Sequence, residues 1–302
     1  MPSEGGGHLG GPAESASGLL GGEPDADAQG SQRLATVSKS RPRIDVRLLG
    51  RIEVTVRGTP VRLAGRQAQA CFALLAHDAR PRSRDFIAAH LWPDVETSSA
   101  SLRQALWLVR SGFAAAGVDP DTVLEVELDT IALRQDAPLR LDTASFEALL
   151  AARPADPEGA IRVYGGDLAE GLGHECFAAE RERLSDLYED ALALVAQRRL
   201  AVGDPAGARA AAERLLARDV LREEAHAVLI AVYGMTGTRS QVVRQYRRLR
   251  EILLRELDVD PLPETEAAYR GALARSVEDS RRRAAAGAFA PRMFTPALVA
   301  QG

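Results

Sequence analysis

Gly203 and Gly237 stand 34 residues apart, and each closes one amphipathic helical pattern just before the next begins, in LAVGDPAGARAAAERLL and GMTGTRSQVVRQYRRLR. A recurrence at this distance is the period of tetratricopeptide-like units, in which a helix pair cannot bury its apolar face alone and must stack on its neighbours. Small or aromatic residues fall at matching points of the two units: Ala208 and Val242, Ala212 and Tyr246, Leu215 and Leu249. Two units are too few to close a core, so the flanking helical patterns around residues 184–200 and 265–273 are expected to complete it. From Asp142-Thr143-Ala144-Ser145-Phe146 to Leu273 nearly every window keeps the helical period.

The chain before residue 142 obeys a different rhythm. Ile52, Val54 and Val56 alternate with Glu53, Thr55 and Arg57, and Gly58-Thr59-Pro60 is read as a turn before Val61-Arg62-Leu63, which predicts short antiparallel strands. Three helical segments follow, at residues 66–76, 83–91 and 98–116, separated by Arg80-Pro81 and by Trp92-Pro93-Asp94. VLEVELDTIALR then reads as a hairpin bending at Asp129-Thr130. Strands, three helices and a terminal hairpin describe a winged helix. The expected fold class is therefore an α+β winged helix over 43–141 followed by an all-α tetratricopeptide-like helical repeat domain over 142–275. Residues 1–42, rich in Gly, Ser, Ala and Pro, read as disordered, and 276–302 as a flexible tail.

The third helical segment carries the candidate functional face. Leu102, Ala105, Leu106, Val109 and Phe113 form one apolar side, whereas Ser98, Ser101, Arg103, Gln104, Trp107 and Arg110 point elsewhere. Serine, arginine and glutamine are the side chains that hydrogen-bond phosphates and base edges, and a helix that follows a shorter helix and a turn is how they enter a major groove. Taken alone, such a face is equally the solvated side of an ordinary helix. The charge distribution tips the balance. A net charge of −4 excludes a globally basic nucleic-acid coat, yet residues 41–118 hold twelve arginines against six acids, a local +6. Arg80, Arg82 and Arg84, near the start of the second helix, are candidates for holding the DNA backbone. Residues 119–142 reverse the sign, with seven acids against two arginines.

With these residues in place, the span from IDVRLLGRIEV to LDTASFEAL resembles the OmpR-type winged helix of Streptomyces antibiotic regulatory proteins, with HLWPD at 90–94 and SLRQAL at 101–106. The remainder is similar to the bacterial transcriptional activation domain of that family, through YGGDLAEGL at 164–172, AERERLSDLYEDAL at 179–192, DVLREEAH at 219–226 and YRRLREILLRELDVDPLPET at 246–265. The resemblance implies a transcriptional activator that binds direct repeats in double-stranded promoter DNA, often as a homodimer, and engages RNA polymerase or another protein through its helical domain. Three departures stand out. Trp107 and Leu108 occupy positions where the family carries a small polar residue and an arginine. Glu125, Glu127 and Asp129 make the hairpin acidic, so its contact with DNA is expected to be weak. Cys176 or Phe177 replaces the family's tryptophan before AERERL.

Other chemistry finds little support. Lys39 is the sole lysine, which disposes of phosphate-binding lysine loops and Schiff-base chemistry. Cys71 and Cys176 offer no disulfide framework and suit a reducing compartment. His8, His77, His90, His174 and His226 are dispersed, and His174-Glu175-Cys176 reads as an incidental loop cluster, not a metal or catalytic site. No metal, cofactor or enzymatic activity is expected. Neither a leader nor a membrane-spanning run is read from the sequence, so the expected location is cytoplasmic. Trp92 reads as a core plug, whereas Trp107 is suited to DNA sugars, a second subunit or the acidic hairpin. The leading reading is a sequence-specific DNA-binding transcription regulator. Its alternative is a protein-interaction adaptor whose winged helix no longer binds DNA, a reading favoured by the acidic hairpin, Trp107 and Leu108.

Overall fold

The computed structural model describes residues 43–287 except 79, 94–97 and 237, so the expectations for segment 1–42, for Asp94 and for Gly237 lie outside the described residues. The chain opens with β1 (Ile44–Arg47), β2 (Glu53–Val56) and β3 (Thr59–Pro60). Their inward residues Ile44, Val46, Val54 and Val56 are buried, the period-2 signature of a half-buried sheet. Arg57 and Gly58 take φ of 50° and 81°, a two-residue hairpin loop in which both central residues are left-handed. The turn therefore lies one residue earlier than Gly58-Thr59-Pro60, and β3 ends at Pro60; Val61 and Leu63 are buried without being in a strand.

Next come α1 (Gly65–His77), β4 (Arg82–Ser83), α2 (Arg84–Leu91) and α3 (Ser98–Ala115). The α2 start is set by Ser83, whose Oγ accepts the Phe86 N–H at 3.1 Å. Its end is sealed by Trp92, which is buried as expected. A hairpin follows, of β5 (Leu124–Val126) and β6 (Thr130–Leu133), with Leu124 opposite Leu133 and Val126 opposite Ile131. β4 pairs with β6 on its other side. The bend lies at Glu127 to Thr130, so Leu128 belongs to the turn and not to a strand. β7 (Leu139–Leu141) then pairs in parallel with β1, an element that three residues of unremarkable sequence did not announce.

The rest is helical: α4 (Asp142–Ala151), α5 (Pro157–Val163), α6 (Ala178–Ala201), α7 (Pro205–Leu216), α8 (Glu223–Thr236), α9 (Arg239–Glu256) and α10 (Pro263–Gly287). α5 and α7 start alike. In Asp156-Pro157-Glu158-Gly159 and Asp204-Pro205-Ala206-Gly207 the aspartate caps the glycine N–H, at 2.8 and 2.9 Å, and proline takes the first helical position. A Cβ on either glycine would lie 2.2–2.3 Å from the capping carboxylate, so a larger residue there would have to displace the cap. α7 and α9 begin 34 residues apart, with Ala208, Val242, Ala212, Leu215 and Leu249 buried and Tyr246 half-buried. α10 continues to Gly287, past the expected helix end at Leu273 and into the segment expected to be flexible. Ser276 is buried on this continuation, its hydroxyl donating to the Ala272 carbonyl at 2.9 Å.

One core cluster runs from Ile44 to Val232 and so crosses residue 141 without interruption. The YGGDLAEGL segment makes the join. Gly50 N–H donates to Asp167 O, Ala169 N–H to Leu48 O and Glu170 N–H to Gly50 O, at 2.7–3.0 Å. A Cβ on Gly165 would sit 2.8 Å from the Leu49 carbonyl oxygen, which explains a glycine there. Arg181 of the AERERL segment fastens the same loop through the carbonyls of Leu168 and Leu172. Arg222 of the LREEAH segment ties the start of α8 to Asp190 on α6.

Candidate nucleic-acid interface

α3 buries Leu102, Ala105, Leu106, Val109 and Phe113, and the Phe113 ring meets Phe72 of α1 at 5.5 Å between centroids. That packing fixes which side faces out. Gly112 lies at the crossing with the chain after β3, where a Cβ would stand 2.7 Å from the Arg62 carbonyl oxygen. Only glycine lets α3 approach that closely.

The outward stripe consists of Ala100, Arg103, Gln104 and Trp107, continued by half-buried Ser111. Trp107 is 64% exposed, a large apolar surface that the described residues leave in water. Arg103 and Gln104 have no hydrogen-bond or ion-pair partner among the described residues. Ser98 and Ser101 are half-buried at the edge of this stripe. Ser111 was missed in the sequence, although its spacing of four from Trp107 and seven from Gln104 puts it on the same face.

The remaining predicted residues are already engaged. Arg110 donates to Asp121 at 2.8 Å, and this hydrogen bond raises the guanidinium pKa and lowers that of the carboxyl. Arg82 pairs with Asp78 and lies over the Phe86 ring, 4.6 Å from its centroid. Burial would push the Asp78 carboxyl up, but hydrogen bonds from Arg82 and Arg80 together with the Arg82 charge hold it below its usual value. Arg84 donates from Nε to the Leu128 carbonyl at 2.8 Å and from Nη2 to that of Glu127 at 3.2 Å. Of the three, Arg80 keeps the most open side chain, 80% exposed beside Asp78.

No group of three or more potential ligands is placed to hold a metal ion among the described residues. Cys71 is buried, and its thiol is pushed up to about 12 by desolvation, while Cys176 is half-buried and likewise raised. Neither is placed to act as a nucleophile. No helix among the described residues is long and apolar enough to cross a membrane.

The family model of the bacterial transcriptional activator domain matches residues 140–273. The chain is a transcription regulator carrying a bacterial transcriptional activator domain. The motifs that resemble the Streptomyces antibiotic regulatory proteins at 164–172, 179–192, 219–226 and 246–265 all lie within the matched residues. This regulator is 26% identical over 275 residues to the transcriptional regulatory protein EmbR of Mycobacterium bovis and of Mycobacterium tuberculosis, an alignment covering 83% of this chain and 68% of theirs. Its fold matches that of Mycobacterium tuberculosis EmbR, solved in complex with a low-affinity phosphopeptide, with a TM-score of 0.62 at 25% identity over 82% of this chain and 70% of that one. The regulator shares with EmbR a mixed α+β N-terminal region joined to a helical activator region.

Proposed function

We propose that residues 43–141 form a winged helix that binds double-stranded promoter DNA in a sequence-specific manner, with α3 in the major groove. The observation that carries this reading is the outward stripe of Arg103, Gln104 and Trp107, polar or aromatic side chains held off the core on a helix rigidly seated by its opposite face. Arg103 and Gln104 supply hydrogen bonds to base edges, with Arg suited to guanine and Gln to adenine. Ser98 and Ser101 reach phosphates from the helix edge. Arg80, and to a lesser degree Arg82, Arg84 and Arg110, add attraction to the backbone, since a guanidinium with one carboxylate or carbonyl partner retains further donors.

Residues 142–275 serve in this reading as a tetratricopeptide-like stack of helix pairs that contacts RNA polymerase or another protein, making the chain a cytoplasmic activator that acts as a homodimer. The test is selection of binding sites from genomic fragments, followed by fluorescence anisotropy across a salt series. Specific sites whose affinity falls steeply with salt are expected. Arg103→Ala combined with Gln104→Ala should abolish the specific component with the fold intact. Retained specificity would refute α3 as the reading helix.

The adaptor reading keeps one observation in its favour, the acidic hairpin. Failure to enrich any site with the native chain would bring it forward.

A further inference from the structure

Between β5 and β6 the chain holds a leucine out into water. Leu128 is 87% exposed, with Val126 beside it at 38%. The turn that carries it is not loose. Glu127 N–H donates to Thr130 O at 2.9 Å, the Thr130 hydroxyl to the Glu127 carboxylate at 3.1 Å, and Arg84 contributes its backbone N–H to Asp129 O at 3.0 Å in addition to its two guanidinium bonds. Five hydrogen bonds thus fix the tip in the free protein, so little conformational entropy remains to be lost when something covers it. Exposed Glu125, Glu127 and Asp129 surround the leucine. This arrangement repels phosphate and suits a basic protein surface with an apolar socket.

The same chain carries such a surface. α9 holds six arginines against two glutamates, and Arg244, Arg247 and Arg248 are exposed with no carboxylate partner among the described residues. Arg244 and Arg248, one turn apart, line a cleft of about 240 Å³ with Tyr233, Gln241 and Gln245. The Tyr233 ring, which Arg209 also approaches at 5.8 Å, and the arginine stems supply the apolar part of a mainly polar lining, and the guanidinium groups give the cleft a cationic rim.

We infer that the hairpin tip of one copy docks in the α8–α9 cleft of a second copy, with Leu128 in the socket and Glu127 and Asp129 on Arg244 and Arg248. Nothing among the described residues covers Leu128, and the two surfaces are different, so the contact is head-to-tail and orders copies side by side in one direction. A hairpin tip buries far less than the roughly 800 Å² per partner of a stable interface. The contact is therefore weak in free solution and becomes effective when DNA holds two copies at high local concentration.

Two experiments test it, and only the first rests on the proposed DNA binding. With the full chain on DNA bearing one or two tandem copies of a selected site, cooperativity is the ratio of second-site to first-site affinity. Glu127→Arg with Asp129→Arg should lower that ratio about tenfold, the loss expected for charge-assisted hydrogen bonds. Arg244→Glu with Arg248→Glu should do the same, and the four changes combined in one chain should restore it. Equal cooperativity in all of these chains, or no recovery in the combined one, overturns the inference. The second experiment uses no DNA: a Leu128→Cys chain mixed with an Arg244→Cys chain at high concentration under mild oxidation. A disulfide-linked heterodimer well above the level in unmixed chains is expected, and its absence overturns the inference even if DNA binding fails. Circular dichroism of each variant checks the fold.

Discussion

The Asp142 carboxylate accepts the Leu48 N–H at 2.8 Å, so the first residue of α4 closes the end of β1 ninety-four residues away in sequence. Its second oxygen accepts the Leu49 N–H at 2.9 Å. These are the donors released where β1 stops and the chain turns toward the helical region.

Asp142→Asn leaves one of those two donors facing an amide NH₂ and should destabilise the fold by about 1–3 kcal/mol. Burial raises the Asp142 pKa, outweighing the backbone N–H groups of Leu48, Leu49 and Thr143 that lower it. A carboxyl raised in the folded state contributes stability at low pH that is lost as pH rises through the folded value. The cost of the substitution should therefore be larger at pH 4.5 than at pH 7 in urea denaturation; the reverse order would contradict the assigned cause.

Gly112→Ala tests how α3 is seated. The added methyl meets the Arg62 carbonyl oxygen at 2.7 Å, which is backbone and cannot swing aside. A loss of about 1–3 kcal/mol is expected from overpacking, with weaker specific DNA binding because the reading helix is tilted. An unchanged melting temperature would mean that the helix and the loop separate freely.

Trp107 can be assigned by base chemistry. An indole on the groove face matches the thymine methyl, which uracil lacks. Replacing thymines one at a time by uracil in a selected site should reveal one position that weakens the native chain roughly threefold to tenfold, about 1 kcal/mol. The Trp107→Ala chain should be indifferent to that replacement. If both chains respond alike, the indole serves a protein contact.

His226 lies buried between α8 and α9, where Gln245 Nε2 lies 2.8 Å from its Nδ1 and the Val220 carbonyl 3.1 Å from its Nε2. Burial, aided by the charge of Arg248, lowers its pKa from the ordinary 6.5. A histidine depressed in the folded state contributes stability present above its unfolded value and lost as pH falls through the folded one. The melting temperature should thus decline below about pH 6.5, and His226→Gln should flatten part of that slope. His174, also lowered by burial and by the charge of Arg66, accounts for a further part. A slope unchanged by the substitution would place the proton uptake elsewhere.

Periodicity made the elements legible. The apolar side of α3, the burial of Trp92, the helix starts at Ser98 and after Ser83, and the 34-residue recurrence of α7 and α9 all follow from spacing along the chain, because helix and strand geometry repeats at fixed intervals. The departures share a cause. β7 is short and gains its identity only by pairing with β1, and α10 continues past Leu273 with Ser276 buried along it. Neither is written in local pattern.

The candidate site divides in the same way. Sequence alone determined which α3 residues face away from the core, since a buried apolar stripe dictates its opposite. It also set the sign of the hairpin. Only the tertiary structure decided which arginines remain open to a partner: Arg84 spends two donors on the carbonyls of the hairpin tip, Arg82 is drawn to Asp78 and Arg110 to Asp121, whereas Arg103 stands clear. A charged side chain is long and its attraction falls with distance, so its engagement depends on which groups folding brings within a few ångströms, and linear spacing carries little of that information.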